Sequence, residues 1–454
     1  MAEVLASFEQ WRPLIATIVG VAGLLLMILV RRVNAFAALL ASAFATGLLA
    51  GLAPEAVIVS VTQGISGVLG FIAVIVGLGA LLGGYLEASG GAVALARALV
   101  GDRSPGRASL AMGCVGILVA IPVFFDVGLV LLFPLVASLA RASGKSALYF
   151  GLPLLAGLAT AHAFIPPTPG PVAVAQILSA EIGLVILCGL AAGVPAMLLA
   201  GPILTRALDG WGALPAGSTG NPDLFEHERA FSPDLLGRAL LSIAFPIALI
   251  VSAALAGPLG LPSSVAAPLT FLGHPFVALL LACGLSAIVL RPADEQARAD
   301  LRDTLARALE PTAVIVLVTG AGGAFKQVLV DTGAGAMLAE SLLGAGVGPL
   351  VAGFLLALVV RIAQGSATVA MLTAAGLSAP MAAAADLPPL DLALMTIAIA
   401  SGASMASHVN DSGFWLVSRY FGLSSSETLR TWTLVSTLVG LTGFGGVLAI
   451  AALT

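Results

Sequence analysis

Charged residues inside the apolar runs of this 454-residue chain are few, and each one costs free energy at membrane depth. Such residues are therefore the first candidates for chemistry. Asp126 sits in IPVFFDVGLVLLFPL, residues 121–135. A carboxyl in an apolar setting is suited to pick up and release a proton; a satisfied structural acid is the plainer reading. In AHAFIPPTPGPVAVA, residues 161–175, Pro166, Pro167, Pro169 and Pro171 remove four backbone donors, so no continuous helix passes. Unwound backbone at this depth must line a cavity or be buried in protein. Thr168, Gly170 and His162 then join the freed amides and carbonyls as candidate ligand contacts, with a packed neutral histidine as the alternative for His162.

Two further segments repeat this logic in the second half. RIAQGSATVAML, residues 361–372, gathers Gly365, Ser366 and Thr368 where a new helix would aim its amides at an anion. Close helix packing is the alternative for its small residues. Arg361 could grip a substrate carboxylate with its fork, or neutralise a buried acid such as Asp411. SHVNDSGFWLV, residues 407–417, places His408, Asn410, Asp411 and Ser412 within five positions of an otherwise apolar run. Lys326 in GAGGAFKQVL is either functional or snorkels to the interface.

Other signals carry less. Gly64-Ile65-Ser66-Gly67 spells the GxSG of an intramembrane serine hydrolase, with Ser66 as nucleophile and His162, His274 or His408 as base. Gly77-Leu78-Gly79 lacks the βαβ setting of a nucleotide fingerprint, and neither HExxH nor CxxC occurs. No cofactor and no metal is expected.

The elements that must hold these residues follow from composition. The chain is 59% hydrophobic and 9% charged, with a mean hydropathy of +1.10. Soluble domains carry about 25% charged residues, so a soluble fold is excluded. A net charge of −4 implies no nucleic-acid partner. Cys114, Cys188 and Cys283 lie in apolar runs and read as small hydrophobes. The first apolar run ends at Arg31-Arg32 without a small-residue cleavage site, so no cleavable signal is expected. The expected fold is an all-α polytopic membrane protein in contact with lipid.

A crossing needs roughly 20 apolar residues. Crossings are expected at about 14–30, 35–52, 66–88, 147–175, 184–204, 239–257, 269–290, 311–330, 392–418 and 431–453. The stretches 108–140 and 348–379 are too long for one crossing and are interrupted at Ile121-Pro122 and at Arg361 to Gly365; both read as re-entrant hairpins. With the N-terminus outside, 16 of 19 basic residues fall on the cytoplasmic side, as topology rules require. Residues 205–237 then form a cytoplasmic linker between halves 1–204 and 238–454.

The halves echo each other. A shift of 243 aligns Val76–Leu99 with Thr319–Leu342 at seven identical positions of 24, and lays one hairpin over the other. Each half holds five crossings and a hairpin. Five is odd, so the second half is expected upside down, with broken helices (147–175 and 392–418) meeting at the midplane as in secondary transporters.

The runs FFDVGLVLLFPL, PPTPGPVAVA, GAGGAFKQVL, QGSATVAML and HVNDSGFWLV-(10)-ETLRTWT, in this order, resemble the gluconate permease family over nearly the whole chain. That resemblance implies a bacterial inner-membrane importer of gluconate or a related hydroxylated monocarboxylate, driven by protons. It also implies kinship with the wider ion-transporter superfamily, with homodimeric assembly and elevator-type alternating access. Thr168 stands where members often have histidine, and Asp126 where many have glutamate. D-Serine, D-glycerate and other sugar-acid carriers share the family. On this reading Asp126 carries the proton, with Asp411 second and His162 third. Thr168, Gly170, Arg361, Gly365, Ser366, Thr368, His408, Asn410 and Ser412 hold the substrate. Sodium coupling stays open, because hydroxyl and carbonyl oxygens also ligate sodium.

Overall fold

The computed structural model describes residues 2–31, 33–101, 104–214, 233–256, 259–292, 294–333, 337, 347–408 and 411–454. Among these, every regular element is a helix. The first half comprises α1 (Ala2–Leu29), α2 (Ala35–Leu49), α3 (Pro54–Ser89), α4 (Gly91–Val100), α5 (Pro105–Ala120), α6 (Phe125–Ser143), α7 (Leu148–Phe164), α8 (Pro169–Leu178), α9 (Ile182–Leu198) and α10 (Leu204–Gly210). The second comprises α11 (Pro233–Ala256), α12 (Ser263–Leu272), α13 (Pro275–Val289), α14 (Glu295–Ala308), α15 (Glu310–Asp331), α16 (Pro349–Gln364), α17 (Ala367–Ala384), α18 (Pro389–Ser404), α19 (Ser412–Phe421) and α20 (Ser425–Leu453).

Local sequence explains the ends. Pro54, Pro105, Pro169, Pro275, Pro349 and Pro389 each open a helix, where the missing N–H leaves no bond unmade. α20 starts with a full capping box, Ser424 and Glu427 each accepting from the other's backbone amide. Gly365 ends α16 at a φ of +88°, a conformation that a side chain would strain.

Among the described residues, six helices are long and apolar enough to cross a bilayer, or up to eight if bent pairs count as one span. This is a multi-pass membrane protein. The count is lower than the ten crossings expected because several apolar runs are helically short or broken. The run expected at 269–290 is α12 and α13, meeting at a 64° bend just before Pro275. The run at 66–88 is instead the C-terminal part of α3, a helix of 36 residues that begins at Pro54. The linker is partly helical: α9 continues through a π-turn at Leu199–Ile203 into α10, and α11 begins at Pro233. Residues 215–232 lie outside the described segments. α14, placed by sequence in a basic loop, is a polar helix capped by Asp294, whose side chain accepts from the Ala297 amide at 2.7 Å.

Both expected interruptions are present. α5 stops at Ala120 and α6 starts at Phe125; α16 stops at Gln364 and α17 starts at Ala367. α5 and α16 hold 16 residues each. At 1.5 Å per residue that is about 24 Å, short of the roughly 30 Å hydrocarbon core. The helix bounds also recur at the spacing read from the sequence. Adding 243 to Pro169–Leu178 gives 412–421, the bounds of α19, and adding it to Pro105–Ala120 gives 348–363, one residue from those of α16. The halves exchange partners: α17 packs against α8, and α6 touches α19.

Burial sorts the helices into layers. α7, α17 and α18 are apolar and buried nearly all round, forming the centre. α3, α11 and α20 show Ile58, Val59, Leu241, Leu441 and Leu448 on the outside, a surface suited to lipid. In lipid the helices gain little from hydrophobic exclusion, so close backbone approach must hold them. α5 and α7 do this at Gly113, Gly116 and Gly157, where a Cβ on Gly157 would run into the Gly113 carbonyl. Gly157→Val should destabilise the detergent-purified protein by about 1–3 kcal/mol, the usual cost of overpacking, and so lower its melting temperature. Gly67→Ala, which meets nothing within 4 Å, should leave melting unchanged.

Candidate functional site

Three helices begin at one place. The first turns of α6 (Phe125, Asp126) and α17 (Ala367, Thr368) and that of α19 (Ser412, Gly413) line a cavity of about 360 Å³, together with Ser366 and Asp411. Helix starts carry unpaired amides and a partial positive charge. A cavity ringed by three of them favours an anion, and its size falls in the range of small-molecule sites. Two of these starts are capped within the site: the Ser366 hydroxyl accepts from the Val369 amide at 3.4 Å, and Asp411 Oδ1 from the Gly413 amide at 3.0 Å.

Arg361, 3% exposed near the end of α16, forms one wall. Its Nη2 donates to Asp411 Oδ2 at 2.5 Å, its Nε to the Met405 carbonyl at 3.3 Å, and its Nη1 to the Gly365 carbonyl. The guanidinium therefore ties the tip between α16 and α17 to the unwound segment between α18 and α19. Of the two roles the sequence left open for Arg361, the geometry displays the pairing with Asp411.

α20 holds the same unwound segment from behind. Trp432 Nε1 donates to Ser407 Oγ at 2.7 Å, and Ser407 Oγ donates in turn to Asp411 Oδ2. The Ser407 amide donates to Ser436 Oγ at 3.2 Å, the Ala406 amide to Thr437 Oγ1 at 3.2 Å, and Thr433 donates to the Ser407 carbonyl. Backbone groups freed by the break are thus satisfied by hydroxyls within about one turn of a single helix. A chain Trp432–Ser407–Asp411–Arg361 results.

Asp126 differs from Asp411. It is exposed to the cavity and has no hydrogen-bond or ion-pair partner among the described residues, although the Asp411 carboxylate is near enough to interact with its charge. His162 of α7 also lines the cavity, in an edge-type contact with Phe124 at 6.2 Å between ring centroids. His162 Nδ1 is buried without a partner. Phe125 and Trp432 lie 5.3 Å apart between ring centroids and give the cavity an apolar wall.

The structure thus gathers Asp126, His162, Arg361, Gly365, Ser366, Thr368, Asp411 and Ser412 around one space. Other candidates lie elsewhere. Thr168 faces a separate crevice with Pro167 and Pro169, and its hydroxyl donates to the Ile165 carbonyl at 2.6 Å. Gly170 is packed by Met371, which lets α8 approach α17. His408 is half-buried with Nδ1 2.8 Å from the Ala406 carbonyl, and does not line the cavity. Asn410 lies outside the described residues. Lys326 donates to the Ile177 carbonyl near the end of α8. Ser66 is exposed on α3 and donates to the Gln63 carbonyl at 3.1 Å, while Gly64 packs on Gly323; the GxSG run is a helix contact.

Sequence reasoning missed Ser404, Ser407, Trp432 and Ser436. A signal existed: 431–437 reads TWTLVST, with its hydroxyls at helical spacing in a crossing.

The buried pair sets an expectation for stability. Removing one partner strands the other charge, at a cost of about 3–5 kcal/mol. Arg361→Gln or Asp411→Asn alone should sharply lower melting temperature, and the double variant should recover much of the loss. Trp432→Phe keeps the ring and loses one bond, worth about 1 kcal/mol, so its drop should be smaller. Thermal unfolding in detergent of the four proteins checks the ranking.

Known proteins resemble this chain over nearly its whole length. The family model of the GntP family permease matches residues 12–454. The Gnt-II system L-idonate transporter of Escherichia coli (strain K12) is 37% identical over 442 residues, covering 97% of this chain and 99% of that protein. The high-affinity gluconate transporter of the same organism is 36% identical over 440 residues, covering 96% and 99%. Among solved structures, the Alcanivorax borkumensis YdaH transporter, described as having an unusual topology, superposes with a TM-score of 0.58 at 17% identity. That superposition covers 86% of this chain and 87% of the other, a likeness of fold. With its helices, its cavity at three helix starts and a family match from residue 12 to the last residue, the chain belongs to the GntP permease family.

Proposed function

We propose that this protein imports gluconate or a closely related hydroxylated monocarboxylate across the bacterial inner membrane by proton symport. The observation that carries the reading is the cavity where three helix starts meet beside Asp126, a carboxylate without a partner among the described residues. Helix-start amides suit the substrate carboxylate, while Ser366, Thr368 and Ser412 suit its hydroxyls. Relatives named as gluconate and L-idonate transporters support a six-carbon sugar acid, two compounds that differ only in hydroxyl configuration.

Asp126 is the proton carrier in this reading. It is the one carboxyl of the cavity that no cation or hydroxyl holds among the described residues. Asp411 takes a structural part, since its oxygens accept from Arg361, Ser407 and Gly413. The two halves, 1–204 and 238–454, would be inverted repeats whose hairpins enter from opposite sides. The matched helix bounds and the exchange of partners between halves support that arrangement. Elevator-type movement and a homodimer complete the proposal by analogy with the wider superfamily.

Uptake of labelled gluconate into proteoliposomes under an inward proton gradient tests the function, with unlabelled L-idonate, D-glycerate and D-serine as competitors. Accumulation abolished by a protonophore and blocked best by gluconate or L-idonate is expected. Strongest competition by D-serine would replace the substrate, and accumulation under a sodium gradient alone would replace the coupling ion. Asp126→Asn should abolish proton-driven accumulation, by at least tenfold, while sparing counterflow exchange. Loss of both would assign Asp126 to binding or folding.

A further inference from the structure

We propose that each substrate carboxylate crosses with one proton, held by Asp126, so that a complete transport cycle moves no net charge. This rests on the proton-coupled reading above and adds its stoichiometry and order.

The argument starts from the charged and titratable groups that face the cavity among the described residues. They are Asp126 on α6, His162 on α7, Arg361 on α16 and Asp411 before α19. The faces of α17, α18 and α20 add Ser366, Thr368, Ser404, Trp432 and Ser436, none of them charged. Arg361 and Asp411 cancel at 2.5 Å, and their remaining bonds bind them to fixed backbone and Ser407. Protonating Asp411 would break that pair and strand a buried guanidinium. His162 is no better as a carrier. Its buried Nδ1 has no acceptor, so an imidazolium would bury an unsatisfied N–H.

Asp126 is left. Ionised, it gives the empty cavity one uncompensated negative charge. A substrate carboxylate entering that space would be a second, and two such charges repel strongly where water is scarce. A proton on Asp126 removes the conflict, so the proton binds before the anion. The proton comes from water on the side of entry and returns to water on the side of release, and no other bond changes. Cavity charge is then minus one both when empty and ionised and when protonated and loaded. The helix starts contribute the same fixed dipoles to both states.

Separate driving forces test this. Proteoliposomes holding the full chain are given labelled gluconate under either a pH gradient with the potential clamped at zero, or a potassium diffusion potential of either polarity at equal pH. Counterflow exchange of gluconate serves as the loading control. One proton per anion predicts accumulation approaching tenfold per pH unit and none under potential alone. No substrate-evoked current is expected on a supported membrane. Accumulation under potential alone, a substrate-evoked current or more than tenfold per pH unit would overturn the stoichiometry and leave proton coupling standing. Counterflow without accumulation under either force would overturn the proton-coupled reading itself. Absence of counterflow would overturn gluconate as the substrate, and the inference with it.

Discussion

The ion pair between Arg361 and Asp411 is the constraint on which the rest of the site depends. It joins the tip between α16 and α17 to the unwound stretch before α19, two pieces of backbone that lie outside any helix. A buried pair is weak evidence of stability by itself, because desolvation offsets attraction. What it does supply here is position. The planar guanidinium has donors aimed in fixed directions, and three of them reach Met405, Gly365 and Asp411 together. Those contacts fix where the starts of α17 and α19 point, and the starts in turn shape the cavity.

Broken helices carry unpaired backbone groups, and lipid offers no partner for them. The protein meets that demand with side chains in place of water. On one side Ser436, Thr437 and Thr433 of α20 hold the stretch around Ser407. On the other, Thr168 bonds back to Ile165 beside the prolines. The two breaks occupy matched places in the halves yet use different chemistry. The first is written in proline and the second in hydroxyls and charge. This is why Thr168 and Gly170 keep close to structure, while Asp411 and Ser412 reach the cavity.

Much of this was legible in the sequence. Composition excludes a soluble fold, and the shift of 243 anticipates helix bounds to within a residue or two at α16 and α19. The helix breaks at 121–124 and 365–366 were visible because glycine and proline interrupt helices. Crossing lengths were less legible, since hydropathy does not separate α3, 36 residues long, from a shorter span with apolar flanks. α14 was hard to see as a helix because its apolar stripe, Leu301, Leu305 and Ala308, is narrow and set among charged residues; Leu305 and Ala308 sit against Gly84 of α3. Within the site, charged residues stood out against their apolar neighbours. Trp432 and Ser407 did not, because a tryptophan and a serine in a membrane helix are ordinary until a fold sets them 2.7 Å apart.

A carrier must bind its substrate and then release it, so an unmatched cation in the cavity would be a hindrance as well as an aid. A free guanidinium facing a carboxylate in scarce water makes a bidentate contact that is slow to part. Here the cation is already paired, and the anion is left to helix starts and hydroxyls, each a modest attraction. An ionised Asp126 beside them works against the anion, and a protonated one does not. On the proposed reading, affinity therefore turns on the state of one carboxyl: the same cavity accepts substrate where protons are plentiful and gives it up where they are scarce. On that proposal coupling needs no separate switch, because the repulsion between Asp126 and the substrate would supply it.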